Sequence, residues 1–140
     1  MSRQSIGLAK EPQNLPDHVV TLAGGTTNLQ PHVHANRLLL MTNAARVINL
    51  PYASGSGDVY EFLLTAALTS GSIIINATTP GTTSNGFNGT IFHQQTSANS
   101  LARFSTTSNE TITLNRTTTG GLAAGDYIKI QDTAAAVWTV

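Results

Sequence analysis

Apolar and polar positions along this chain alternate at the period of β-strands, and no stretch repeats its apolar residues at helical spacing over any length. The alternation is strictest in Glu110-Thr111-Ile112-Thr113-Leu114-Asn115, where Ile112 and Leu114 fall on one face and Thr111, Thr113 and Asn115 on the other. Gly125 to Gln131 repeats it, with Tyr127 and Lys129 opposed to Ile128 and Ile130. Such patterning predicts half-buried antiparallel sheet.

Other segments are continuous apolar runs of strand length. Ser72 to Ala77 holds three consecutive isoleucines, the signature of a strand buried on both faces. Arg37 to Thr42 is leucine-rich, and with Asn43-Ala44-Ala45 as a tight turn it predicts a hairpin to Arg46-Val47-Ile48-Asn49-Leu50-Pro51, Asn43 taking the left-handed conformation. Tyr52 to Gly57 is then a small-residue loop before a further strand, Asp58 to Leu64. Thr90 to Gln94, Leu101 to Ser105 and Ala135 to Val140 complete the later strands, the last with the single tryptophan, Trp138.

Towards the N-terminus, His18 to Leu22 reads as a short strand and Ala23 to Thr27 as a turn, while His32-Val33-His34 alternates like an edge strand. Thr65 to Gly71 is a connection with room for one helical turn. Thr78 to Asn85 has loop composition, and the Asn85-Gly86 and Asn88-Gly89 steps signal turns that bracket Phe87 as a plug into the core. Residues 1 to 17 carry Pro12 and Pro16 and no periodicity, so they form an extended arm ahead of a single domain over residues 18 to 140. Short strands about every ten residues, without amphipathic helices, predict an all-β fold: an antiparallel β-sandwich or a jelly-roll-like barrel with an extended N-terminal arm. No repeat of fixed period is visible.

Composition changes the functional picture more than the structural one. Seven basic and seven acidic residues among 140 give a formal net charge of zero, and Thr, Ser, Asn and Gln supply the polarity. Arg37, Arg46, Arg103 and Arg116 are scattered singly, which argues against nucleic acid as a partner, since duplex binding needs clustered cations. Near-zero charge also removes the self-repulsion that keeps chains apart, favouring an assembled protein. The absence of cysteine excludes disulfides, thiolate metal sites and cysteine nucleophiles. No apolar run reaches the roughly 20 residues that span a bilayer, so no membrane partner is expected, and the N-terminus lacks the apolar core of a signal peptide. These features predict synthesis in a cytoplasm.

Candidate chemistry is sparse. On a strand His32 and His34 would share one face, but no third donor lies nearby in sequence, and exposed edge histidines are the plainer reading. Asp58 and Glu61 are three apart and fall on opposite faces, which excludes paired acid/base work. Gly55-Ser56-Gly57 has the glycines of a phosphate cradle without its lysine or helix. Four Asn-X-Thr sequons, at Asn76, Asn88, Asn109 and Asn115, are expected by chance in a chain so rich in both residues. Tyr52, Tyr60, Phe92 and Trp138 suit core and interface packing better than a sugar-stacking platform. No catalytic residue, cofactor site or metal site is therefore assigned, and no enzyme is predicted.

Arg46-Val47-Ile48-Asn49-Leu50-Pro51, followed by Ala53-Ser54-Gly55-Ser56-Gly57-Asp58-Val59-Tyr60-Glu61-Phe62, resembles a pattern of small head structural proteins of tailed bacteriophages: valine-x-leucine-proline, small residues, glycine-x-glycine, aromatic-x-phenylalanine. Phe87-Asn88-Gly89-Thr90-Ile91, Gly125-Asp126-Tyr127-Ile128 and Trp138-Thr139-Val140 follow in the same order, so the likeness covers about residues 20 to 140. The resemblance implies a virion protein, a capsid decoration (cement) protein that binds the outer capsid surface as a homo-oligomer, often a homotrimer, and bridges copies of the major capsid protein. Arg3, Ile6, Leu8, Lys10 and Leu15 of the arm are then candidate capsid contacts, and Leu50, Tyr60, Phe62, Ile74 and Trp138 candidate core or subunit packing residues. A carbohydrate- or receptor-binding β-module of a fibre or tail is the alternative.

Overall fold

The first six strands alternate between two sheets, so that the chain winds as a coil. The computed structural model describes residues 18–77, 85–95 and 100–140. Strands β1 (Val19–Thr21), β3 (Arg37–Met41) and β5 (Val59–Leu64) belong to one sheet, and β2 (Gly25–Asn28), β4 (Arg46–Asn49) and β6 (Ile73–Asn76) to the other. Within each sheet the three run parallel, β1 to β3 to β5 and β2 to β4 to β6, so each circuit of the chain stacks on the previous one.

The remaining strands close one end of this coil. Strand β9 (Thr111–Leu114) pairs antiparallel with β6, and β10 (Tyr127–Ala134) pairs antiparallel with β5. Beyond β10 the larger sheet continues through β11 (Val137–Thr139), β7 (Gly86–Gln95) and β8 (Ser100–Asn109), giving, among the described residues, seven strands against four in the smaller sheet. The fold is mostly β, as the patterning predicts, but the sheets are mixed where antiparallel sheet was expected. Parallel pairing needs a crossover between strands, and here the opposite sheet supplies it.

Both sheets contribute to one core, with Leu39, Met41, Tyr60, Phe62 and Ile130 from the larger and Ile48, Ile73, Ile75, Ile112 and Leu114 from the smaller. Of the packing residues predicted from sequence, Leu50, Tyr60, Phe62 and Trp138 are fully buried. Ile74 is not. It is half-buried between the buried Ile73 and Ile75, because β6 keeps one face towards the core instead of being covered on both.

Polar side chains lock the stacking of the smaller sheet. Asn28, Asn49 and Asn76 occupy one register position. The Asn49 amide donates to Asn28 Oδ1 and the Asn76 amide to Asn49 Oδ1, each at 2.7 Å, and the Thr111 hydroxyl closes the row on Asn76 Oδ1 at 3.2 Å. The next residues, Leu29, Leu50 and Ala77, are all buried. Each circuit therefore turns in at an asparagine followed by an apolar residue. Arg46, also buried, fastens the opposite end of β4 by donating to the carbonyls of Leu22 (2.7 Å), Ala23 (3.3 Å), Thr42 (3.4 Å) and Ala44 (3.2 Å) and to the Thr42 hydroxyl (2.8 Å). A guanidinium suits this place because its fixed fork reaches several carbonyls at once.

Several local expectations give way to this topology. Residues 42–45 form a corner between sheets, not a hairpin, because β3 and β4 do not pair. Asn43 is not left-handed; among the described residues the non-glycine positions with positive φ are Asn36, Arg116 and Ala136. Of the turn expected at Ala23 to Thr27, Gly25 to Thr27 belong instead to β2, and residues 65–71 contain no helical turn. Both Asn-Gly steps lead into or lie within β7 instead of forming turns, although Phe87 is fully buried as expected. Gly89 marks a break in register with β8 at φ +144°, where an added Cβ would collide with the Val140 carbonyl oxygen. Here the chain terminus crosses so close that only glycine fits. The expected arm, including Arg3, Ile6, Leu8, Lys10 and Leu15, and residues 78–84 of the loop expected over Thr78 to Asn85 lie outside the described residues.

Asn49→Ala should destabilise the protein by about 2 kcal/mol, since it breaks two amide bonds at a buried position, whereas Asn28→Ala at the exposed end should cost less than about 1 kcal/mol. Urea unfolding of the two variants measures that gradient.

Candidate functional site

The glycine-bearing loop between β4 and β5 has the shape of an anion cradle, and the protein fills it with its own carboxylate. Gly55 and Gly57 are left-handed, at φ +81° and +83°, and the intervening backbone turns its N–H groups inward. Asp132 of β10 accepts from Gly55 N–H on Oδ1 at 2.6 Å and from the N–H groups of Ser54 and Ser56 on Oδ2 at 3.0 and 3.1 Å. The hydroxyls of both serines add bonds of 3.2 and 2.9 Å to Oδ2. Burial works to raise the Asp132 pKa, but the hydrogen bonds from Ser54, Gly55 and Ser56 outweigh it and hold the carboxyl below its ordinary value. The loop is thus a structural clasp between β10 and the β4–β5 connection, not a site for an external phosphate.

Beside the clasp, Tyr60 meets Trp138 edge-to-face, with ring centroids 5.6 Å apart and an interplanar angle of 79°. The indole N–H donates to the Ala77 carbonyl at 2.8 Å. The Tyr60 hydroxyl is buried with no hydrogen-bond partner among the described residues, and desolvation, then the nearby Asp58 and Asp132, drives its pKa up. Both rings are structural and unavailable for sugar stacking. Tyr52 is 51% exposed and remains available, whereas the Phe92 side chain lies outside the described residues.

The histidine pair does not form a site. Pro31–His34 is a helical turn, α1, instead of the edge strand predicted, and positions two apart on a helix point apart. His34 Nδ1 accepts from the Gln30 N–H at 2.9 Å, closing the turn, and burial lowers its pKa. Among the described residues no group of three potential ligands could hold a metal ion. Asp58 and Glu61 are likewise not joined: Asp58 accepts from the Asn36 side-chain amide at 3.2 Å, while Glu61 sits on the outer face of β5.

That outer face is the most distinctive surface of the molecule. Strand registry places Val19, Leu38, Glu61 and Lys129 in one row across β1, β3, β5 and β10, and Thr21, Leu40, Leu63 and Tyr127 in the next. All eight lie opposite the core-facing Leu39, Phe62, Ile128 and Ile130, and none is fully buried. Val19 is 46% and Tyr127 50% exposed. Tyr127 donates its hydroxyl to Glu61, and that bond, more than burial or the charge of Glu61, pushes the phenol pKa up to about 12. The result is an apolar band with one tyrosine–carboxylate pair and one lysine at its margin. Sequence reading identified Tyr127 and Lys129 as one outward face, but the parallel neighbours that join Leu38, Leu40 and Leu63 to them were not visible without the topology.

Asp132→Ala should cost about 3 kcal/mol and Asp132→Asn somewhat less, because the three loop N–H groups lose a charged acceptor whose own side chain is buried. Since the folded-state pKa of Asp132 is lowered, its contribution is fully present above the ordinary carboxylate value of about 3.9 and disappears as pH falls through the folded value. The stability gap between wild type and Asp132→Asn, from urea titrations at pH 7, 5 and 3, should accordingly hold at the first two and narrow at the third. Tyr60→Phe should be neutral or stabilising by up to about 1 kcal/mol in the same assay, as it removes a buried unpaired hydroxyl.

No protein-family model matches the chain, and no curated protein or solved structure matches it.

Proposed function

We propose that the protein is a virion structural protein: a capsid decoration, or cement, protein that binds the outer surface of a tailed-phage head as a homo-oligomer and stabilises the shell. The observation that carries this reading is the apolar band of Val19, Leu38, Leu40, Leu63 and Tyr127 on the outer face of the larger sheet. The face carries exposed Val19 and Tyr127, part-exposed leucines and one acid and one base, and apolar side chains gathered on a surface mark interaction sites in soluble proteins. The resemblance around Leu50-Pro51 and the neutral, Thr-rich composition support the same reading. In it the two sheets form a sandwich, the major capsid protein and further copies of this chain are the partners, and Arg3, Ile6, Leu8, Lys10 and Leu15 of the arm add contacts to the shell. The work is mechanical, with no reaction and no cofactor.

A second reading, a carbohydrate- or receptor-binding module of a fibre or tail, draws on the exposed Tyr52 and Tyr127 rings and on Glu61 beside Tyr127. Glycan-array binding that disappears in Tyr52→Ala or Tyr127→Ala would favour it.

Leu38→Lys combined with Leu63→Lys should reduce binding to undecorated capsids at least tenfold while shifting the unfolding midpoint by only a few degrees, as expected for substitutions on an outer face. Deleting residues 2–16 should weaken the same binding, and undiminished binding would remove the arm from the mechanism. Copy number in purified particles separates the two readings, with hundreds on a shell against a few at a tail tip.

A further inference from the structure

The parallel coil is closed at one end and open at the other. Strands β9 and β10 cover β6 and β5, whereas β1 and β2, both in the first circuit, have a strand on one side only among the described residues. The Leu29 N–H donates to the Asn49 carbonyl, and bonded residues alternate along a parallel pair, so the backbone N–H and C=O groups of Thr26 and Asn28 face the open edge. By the same rule the bond from Leu22 N–H to the Leu40 carbonyl turns the backbone groups of Val19 and Thr21 outward from β1. Neither strand carries a charge or a proline, two of the devices that keep an edge from accepting another strand.

The asparagine row indicates what kind of strand fits there. At the closed end β9 runs antiparallel to β6, and Thr111, opposite Asn76, gives its hydroxyl to Asn76 Oδ1. The open end has the reverse need. Asn28 Oδ1 is taken by the Asn49 amide, while the Asn28 amide, on an exposed residue, has no partner among the described residues and lacks an acceptor. A hydroxyl on an antiparallel neighbour supplies one, and β2 itself carries that hydroxyl at Thr26, exposed on the same face as Asn28. The outward groups of Thr26 and Asn28 also stand symmetrically about Thr27. Two copies of β2 set antiparallel about a twofold axis at Thr27 therefore match: Thr26 of each lies opposite Asn28 of the other, and each pair exchanges both backbone bonds. Strand β1 repeats the arrangement, with Val19 and Thr21 about Val20. A formal net charge of zero leaves no long-range repulsion between the copies.

We propose that the open end is a self-recognition edge, at which a second copy of this chain adds its β2 antiparallel to β2 about that axis, the Asn28 amide donating to the Thr26 hydroxyl of the second copy, while β1 meets its own counterpart alongside. Both ends of the asparagine row are then closed by a threonine on an antiparallel strand, and the apolar bands that begin at Val19 join into one wider face. This specifies one contact of the homo-oligomer in the proposed function and rests on that part of it. The measurements use protein without capsids, so a failure here is distinct from a failure of capsid binding.

Sedimentation equilibrium on the unmodified chain should show a dimer that dissociates on dilution. A monomer or an odd-numbered oligomer would overturn the proposal, and so would assemblies that keep growing with concentration, which would give the edge to a different surface of the next copy. The chain has no cysteine, so Thr27→Cys introduces a single thiol. As a non-hydrogen-bonded antiparallel pair the two Cα atoms stand about 4.5 Å apart, within reach of a disulfide. Oxidation should give covalent dimers on non-reducing gels for Thr27→Cys and not for Thr117→Cys; no dimer from the first, or equal yields from both, would overturn the pairing. Thr26→Val, which keeps the shape and removes the acceptor from both copies, should weaken the dimer about tenfold, and an unchanged dissociation constant would remove Thr26 from the contact. Amide exchange on the unmodified sequence does not depend on how the variants fold. The Thr26 and Asn28 amides should exchange at least tenfold more slowly in the dimer than in dilute monomer, and slow exchange that ignores concentration would place the cover within the same chain and overturn the proposal.

Discussion

Everything in this structure follows from the parallel registration of Asn28, Asn49 and Asn76. A parallel coil has a weakness that hairpins do not, because nothing local sets its register: each pair is separated by a full circuit, and a slip of one residue would turn every core side chain outward. The side-chain amides remove that freedom. An amide offers a donor and an acceptor along the stacking direction, so one asparagine satisfies the next only when both stand at the same height. With that row fixed, Leu29, Leu50 and Ala77 enter the core together, and Arg46 can gather the carbonyls of the opposite corner.

The part of the fold legible in sequence was the part whose information is local. Strands β9 and β10 were readable residue by residue, since each has one face on the core and one in water and their alternation states it. Strand β2 was not readable, because Gly-Thr-Thr-Asn sits on an exposed edge with no buried face to impose a pattern. The coil itself was hidden by its unequal circuits. Its asparagines recur after 21 and then 27 residues, counted from positions 28, 49 and 76, and no search for a fixed period joins them. The same blindness produced the hairpin expected at residues 43–45, where a short connection between two apolar runs turned out to change sheets.

The candidate site shows the converse. Gly55-Ser56-Gly57 reads in sequence as a bare turn without the lysine or helix of a phosphate cradle, yet the loop does receive an anion, which lies 77 residues away from Gly55 in the same chain. Sequence gave no sign that Asp132 would be that group, since it lies in an alternating strand where an acidic residue reads as surface. Its burial makes sense only against the loop that surrounds it. Chemistry that in other settings binds a ligand is used here to weld the last hairpin, β10 and β11, to the middle of the coil, and with it Trp138.

The open and closed ends of the coil also give the molecule a mechanical direction. Each circuit is held mainly by its immediate neighbour, as in other stacked architectures. A pull on the β1 side meets the circuits one after another and peels them. A pull entering through β10 meets β5, β11 and the Asp132 clasp at the same time, and these must shear together. Among the described residues the two ends of the coil therefore differ in how many partners must give way together, one strand for β1 against β5, β11 and the loop clasp for β10.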